Sequence, residues 1–261
     1  MMNDDDVARF WDANARTWAR HVRKGYDTYR DLYNNPAFFA FCGDPKSLDV
    51  LDVGCGEGYN TRIWAAQGAR MTGVDISPEM IRLATEMEAR EPLGIRYEVA
   101  SAGDLSLFAP GAFGAVVSPM AMMDMADYEG TIREVARVLT AGGFFSFSVI
   151  HPCFGFGTMR VEQDADGRIQ VSLSGNYFAA EPSVEVWRFG RAPADEQAEP
   201  FQVPRFPRTL SGYLNPLPAA GFKIVEVHEP RSSDEACEAN PRLRRWQSLP
   251  AFLYVKAVKE R

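Results

Sequence analysis

Three glycines alternate at Gly54, Gly56 and Gly58 in the stretch LDVGCGEGY, residues 51–59, and Asp52 stands two positions before the first of them. Bare backbone at alternating positions lets a ligand lie against the main chain. A dinucleotide fingerprint, G-x-G-x-x-G, needs its third glycine where Tyr59 stands. Asp52 would repel a pyrophosphate, but it can pair with an ammonium group. Asp75 ends the next apolar run, where an acidic side chain accepts hydrogen bonds from ribose hydroxyls. Together these residues suit a ribose-bearing ligand with a positive amino acid end and no phosphate. For proton transfer the best-placed residue is His151, which follows the apolar run FFSFSVI and titrates near neutrality. Its other reading is a structural histidine bonded to a loop carbonyl.

These residues need a scaffold, and the apolar runs supply one. SLDVLDVG (47–54), ARMTGVD (69–75), IRYEVA (95–100), GAVVSPMA (114–121) and FFSFSVI (144–150) read as successive buried strands. Helical patterns separate them. YNTRIWAAQG stops at Gly68; Ser77 caps a helix with Pro78 at its first position; YEGTIREVARVLTAGG ends at Gly142-Gly143. This alternation predicts an α/β protein with a doubly wound, mostly parallel sheet and ligands at the carboxyl ends of the strands. TLSGYLNPLPAAGF then reads as a helix, and KIVEVHEP and PAFLYVKAVK as two closing strands. The expected organisation is an N-terminal helical cover (1–46), a ligand-binding core (47–150), a lid insertion (151–208) and the rest of the core sheet (209–261).

Composition narrows the function classes. The 261 residues carry a net charge of −7, which disfavours a general nucleic-acid-binding surface. No apolar run is long enough to span a bilayer. The start, MMNDDD, is acidic where a secretory signal is basic. Cys42, Cys55, Cys153 and Cys237 are scattered without a C-x-x-C pair, pointing to a reducing compartment and no structural zinc. The expectation is a cytoplasmic protein, monomeric or homodimeric, without nucleic acid, membrane or metal as partner.

VLDVGCGEGYNTR, GVDISPEMI and REVARVLTAGGFFSFSV resemble successive motifs of the class I S-adenosylmethionine-dependent methyltransferases. S-adenosyl-L-methionine is a ligand of the kind that Asp52 and Asp75 favour. The resemblance is close over residues 47–150 and looser at 209–230 and 250–258. It implies a Rossmann-like sheet of seven strands with the last strand antiparallel. It further implies that the backbone of Gly54, Cys55 and Gly56 underlies the cofactor, with Asp52 near its methionine end. Asp75 would take the ribose hydroxyls and Ile76 would flank the adenine. Ser101 stands where related enzymes often have an aspartate for the adenine amino group, and Ala102 would offer its backbone N–H to the ring. Met120 would meet the methionine portion. Arg30 would pair with the cofactor carboxylate, or serve as a surface residue or structural ion pair.

Methyl transfer is a direct displacement, so the protein mainly aligns a nucleophile and excludes water, with a base only where the acceptor carries a proton. His151 is the candidate base. Cys153 invites comparison with RNA methyltransferases that use a nucleophilic cysteine, but the acidic chain favours a plain loop cysteine. Asp124 and Asp127 suggest a metal only if helper ligands join them, and Asp127 suits a helix start. Phe154, Phe156, Met159, Tyr177, Phe178, Trp187 and Phe189 would line a lid or form its own small core. Either Arg205 or Arg208 would meet an anionic substrate or face solvent. The expected reaction is methylation of O, N or S on a small molecule. Its rivals are methylation of RNA or protein, cofactor binding without catalysis, and nicotinamide redox chemistry.

Overall fold

A computed structural model describes residues 2–154, 159–163, 168–193 and 200–260. The chain opens with α1 (Asp4–Arg23), a π-helical turn (Arg30–Asn34) and α2 (Asn35–Cys42). The alternating part follows as β1 (Asp49–Val53), α3 (Tyr59–Ala66), β2 (Arg70–Asp75), α4 (Pro78–Arg90), β3 (Arg96–Val99), β4 (Phe113–Pro119), α5 (Tyr128–Val138) and β5 (Leu139–Ile150). Two antiparallel hairpins come next, β6 (Met159–Gln163) with β7 (Ile169–Leu173), and β8 (Ser183–Trp187) with β9 (Phe201–Arg205). The chain closes with α6 (Leu210–Leu214), α7 (Pro216–Ala219), β10 (Phe222–His228), α8 (Asp234–Ala239), a 3-10 segment (Pro241–Gln247) and β11 (Phe252–Lys259).

The main sheet has seven strands in the order β10-β11-β5-β4-β1-β2-β3. All neighbours from β5 to β3 pair in parallel, and β11 runs antiparallel to both β5 and β10. This is the doubly wound, Rossmann-like arrangement expected, with strand order reversing between β1 and β4. The period of two along each strand divides the core into two layers. Leu51, Val53, Val116, Phe145, Phe147 and Val149 pack on α5 to α7, whereas Val50, Ala115, Val117 and Tyr254 meet Phe38, Trp64 and Trp246. Each large apolar side chain so buried contributes about 1.5–3 kcal/mol. Asp52 shares the face of Val50, so its carboxylate lies inside the second layer.

Local chemistry explains most element ends. Asn3 and Asp6 form a reciprocal capping box on α1; Ser77 Oγ accepts from Met80 N at 3.1 Å to start α4; Asp127 does the same for α5 at Gly130. Two expectations fail. The glycine pair does not stop α5, which ends at Val138. Buried Leu139 pairs with Phe113, and Ala115 next pairs with Phe144, so Gly142-Gly143 form a bulge inside β5. The single helix expected at 209–222 is two short ones, because Pro216 and Pro218 cannot donate to a continuous helical ladder. Among the described residues no helix is long and apolar enough to cross a membrane.

The insertion does not pack alone. Trp18 of α1 lies 5.3 Å from Trp187, 5.0 Å from Phe189 and 5.2 Å from Phe201 between ring centres. Phe189 and Phe201 are buried with Val22. Tyr177 and Phe178 instead stay exposed. Phe156 lies outside the described residues, as does the side chain of Met159.

Candidate functional site

The carboxyl ends of β1, β2 and β4 open onto a cavity of about 660 Å³, roofed by α1 and the β8–β9 hairpin. Gly54 N and Cys55 N both donate to Val74 O, at 2.8 and 3.0 Å, which ties the glycine loop to β2. Gly56 N then donates to Asp75 Oδ2 at 2.8 Å, and Ser77 N to Asp75 Oδ1 at 2.9 Å. Each carboxylate oxygen keeps a lone pair for a further donor. Burial pushes the Asp75 carboxyl up to about 6, against the pull of these backbone donors.

Asp52 is fully buried in the same wall. Its Oδ2 accepts from Thr61 Oγ1 at 2.7 Å, while Oδ1 has no hydrogen-bond partner among the described residues. Burial pushes its carboxyl up to about 7; the Thr61 bond lowers it and the neighbouring Asp75 charge raises it. An orphaned buried acceptor is costly unless a ligand donates to it. An ammonium group is the donor that would also restore the charge balance. The residues present therefore fit S-adenosylmethionine: Asp52 for its amino end, Asp75 for its ribose.

Gly54, Cys55, Gly56, Ile76, Ser101, Ala102, Met120 and Arg30 all line this cavity beside Asp52 and Asp75. Ser101 is engaged differently than expected. Its hydroxyl donates to Asp4 Oδ2 at 2.5 Å and accepts from Gly103 N at 3.1 Å, so α1 delivers the carboxylate at this position. Met120 adopts φ +60, with its N–H held by Ser148 O at 2.9 Å and Ser148 Oγ at 3.1 Å. That left-handed turn presses Ala121 toward Gly54. The guanidinium of Arg30 is paired with Asp31 Oδ1 at 2.9 and 2.8 Å and stacks 3.9 Å over Tyr59.

His151 is not brought to the others. It is buried behind Ile150, and Ile150 rather than His151 lines the cavity. Its Nδ1 accepts from Cys153 N at 3.1 Å, which leaves Nε2–H to donate to Glu229 Oε1 at 2.7 Å. Burial lowers its pKa, opposed by Glu229. With both nitrogens committed, the ring pins the end of β5 to the segment after β10. His151→Ala should cost about 1–2 kcal/mol, lowering the melting temperature by about 2–4 °C per kcal/mol, with S-adenosylhomocysteine affinity unchanged within twofold. Thermal melts and calorimetry check this, and a tenfold loss of turnover at unchanged melting temperature would restore the base role. Cys153 is half-buried outside the cavity, its Sγ 3.8 Å from Tyr177 Oη.

Glu57 went unnoticed in the sequence, Asp127 starts a helix as expected, and Asp124, Arg205 and Arg208 find partners that spacing does not signal. Glu57, between two of the glycines, is buried with Arg23 of α1 at 3.6 Å. Asp127 is occupied as the α5 cap. Asp124 pairs with Arg205 at 2.6 Å, and Arg205 reaches Glu185 at 3.2 Å. Arg208 instead donates to Met122 O, Met125 O and Phe206 O, stitching β9 to the turn after β4. Among the described residues no three potential metal ligands converge on one point.

Known proteins carry the same framework. A methyltransferase-domain family model matches residues 51–147. The ubiquinone biosynthesis O-methyltransferase of Xanthomonas campestris pv. campestris (strain B100) is 33% identical over 102 residues, 39% of this chain and 43% of that protein. The chain thus matches under half the length of that curated relative. The crystal structure of an S-adenosylmethionine-dependent methyltransferase from Mesorhizobium loti superposes with a TM-score of 0.68 at 30% identity, over 86% of this chain and 96% of that one. A Burkholderia thailandensis 1,6-didemethyltoxoflavin-N1-methyltransferase, solved with S-adenosylhomocysteine, shares the fold at 17% identity and a TM-score of 0.56, over 100% and 92% of the two chains.

Proposed function

Since the chain belongs to the class I S-adenosylmethionine-dependent methyltransferases, we propose that it methylates a small molecule enclosed between the sheet edge and the β8–β9 hairpin. When bound, S-adenosylmethionine supplies a methyl group on a positively charged sulfur. In this reading Asp52 holds its ammonium group and Asp75 its ribose hydroxyls. Ile76 and Ala102 bracket the adenine, with Ser101 and Asp4 at its edge, and Met120 borders the methionine chain.

One observation carries the choice of a small acceptor. One cavity is lined by Asp52 and Asp75 and also by Asp124 and Glu185, with side chains of α1 and the hairpin completing its wall. Its volume falls in the range of about 300–1,000 Å³ typical of small-molecule sites. A net charge of −7 works against a nucleic-acid substrate. Four free cysteines fit a reducing cytoplasm.

The O-methyltransferase relative matches only 39% of this chain, so its acceptor does not carry over to this protein. Incubation with methyl-labelled S-adenosylmethionine and a cell extract, then resolved into small-molecule, RNA and protein fractions, tests the proposal. Label is expected in the small-molecule fraction. Label in RNA or protein overturns it, and tight S-adenosylhomocysteine binding with label in no fraction favours a non-catalytic binder.

A further inference from the structure

Besides the residues assigned to the cofactor, the cavity wall holds a charged cluster. Asp124 is buried in the 3-10 turn Met122–Asp124 that follows β4. Its Oδ1 accepts from Arg205 Nη1 at 2.6 Å, and Arg205 Nη2 donates to Glu185 Oε2 at 3.2 Å. All three line the cavity. Arg205 Nε is buried and has no hydrogen-bond partner among the described residues. The cluster thus presents a buried carboxylate beside a buried donor that lacks an acceptor.

This place is close to the donor chemistry and stiffly held. The residues flanking the turn, Ala121 and Met125, are the ones that a side chain at Gly54 would strike. Phe206 N donates to Met123 O at 3.0 Å, and Arg208 Nη2 to Met125 O at 2.6 Å, so the turn and the hairpin strand form one cross-linked unit. A base must be fixed in this way to act on one proton of one substrate.

Resting on the reading of a small-molecule methyltransferase, we propose that Asp124 is the general base for a phenolic or enolic hydroxyl acceptor, and that Arg205 binds the oxygen as its proton leaves. The hydroxyl proton passes to an Asp124 carboxylate oxygen. A lone pair of the acceptor oxygen forms the new C–O bond to the methyl carbon as the C–S bond breaks, its electron pair going to sulfur. The products are a methyl ether, S-adenosylhomocysteine and protonated Asp124, which returns its proton to solvent.

The charges favour oxygen over the alternatives. Arg205 stabilises the negative charge that develops on a hydroxyl oxygen losing its proton, and opposes the positive charge that develops on an amine nitrogen being methylated. A thiol, which ionises near 8.5 unaided, has little need of a base. A phenol near 10 does need one. Burial pushes the Asp124 carboxyl up to about 7, the value at which a base is both ionised and effective at neutrality. The groups that face it set this balance: Arg205 and Arg208 lower it and Glu185 raises it, with Tyr213 also within range of its charge.

The test uses purified full-length protein and four probes: catechol, 3,4-dihydroxybenzoate, o-phenylenediamine and thiophenol. The hydroxylated probes should be methylated, with kcat/KM rising through about pH 7 and levelling above it. Asp124→Asn should lower turnover at pH 7 by about 100-fold or more and replace the plateau by a continuous rise with pH. Asp124→Glu should recover part of the rate. S-adenosylhomocysteine affinity and melting temperature should stay within twofold and a few degrees, respectively. Independently of turnover, calorimetry should show catechol binding to S-adenosylhomocysteine-loaded protein, weakened at least tenfold by Arg205→Gln. Turnover that Asp124→Asn leaves within threefold overturns the proposal, as does exclusive methylation of the amine or thiol. Either result would leave small-molecule methylation standing. Failure of catechol to bind the loaded wild-type protein also overturns it. Label passing only to RNA or protein would instead overturn the reading on which it rests.

Discussion

Asp52→Asn should raise the dissociation constant of S-adenosylhomocysteine by roughly 30- to 1,000-fold, while the empty protein at pH 7.5 should become no less stable. The first effect follows from removing one partner of a buried charged pair, worth about 2–4 kcal/mol. The second follows from the raised Asp52 carboxyl, caused first by burial. A carboxyl whose folded value is raised contributes stability that is full below its unfolded value near 4 and lost as pH climbs through about 7. Wild-type empty protein should therefore lose stability between pH 5 and 7.5, and the D52N variant should lose less. Ligand affinity should move the opposite way in wild type, rising from pH 5.5 to 7.5 as the carboxylate that pairs with ammonium forms. Urea melts and calorimetry at both pH values check the signs. A D52N variant that binds as tightly as wild type would remove Asp52 from the site.

Gly54→Ala should cost about 3 kcal/mol of stability and abolish measurable cofactor binding, whereas Gly56→Ala should cost about 1 kcal/mol. Both glycines have positive φ, +75° and +56°, so both substitutions strain the backbone. Only at Gly54 does the added carbon meet an obstacle, Ala121 Cβ at 2.4 Å; at Gly56 it meets nothing within 4 Å. Ala121 has no rotamer to move aside, so the turn carrying Asp124 must shift. Equal losses at the two positions, read from denaturant curves, would show that backbone strain alone sets the cost.

What was legible in the sequence is what the chain keeps local. Asp52 and the glycines lie within seven residues, and Asp75 ends the neighbouring strand, so strand periodicity alone put them on one edge. His151 shows the limit of that reasoning. A strand-end position fixes where a residue is, not which partners its side chain finds, and Glu229 lies 78 residues away. Asp124, Glu185 and Arg205 come from the sheet edge and from both strands of an insertion hairpin, and no spacing signals their meeting. The misread end of α5 has a similar cause. A glycine pair marks a break in either helix or strand, and the burial of Leu139 decided which.

The aromatic row shared by α1 and the hairpin constrains how acceptor preference can be changed. The donor half, residues 51–147, is the segment matched by the family model, and the hairpin lies outside it. Yet Trp18 fills the space between Trp187, Phe189 and Phe201, and Asn14 Nδ2 donates to Gln202 O at 2.8 Å. The same helix supplies Asp12 to Ser77 and Asp4 to Ser101 at the cofactor end. A graft exchanging the hairpin alone would leave Trp18 facing a foreign surface and loosen the grip on the donor. The portable module is therefore discontinuous, hairpin plus first helix, and the two must be transplanted together.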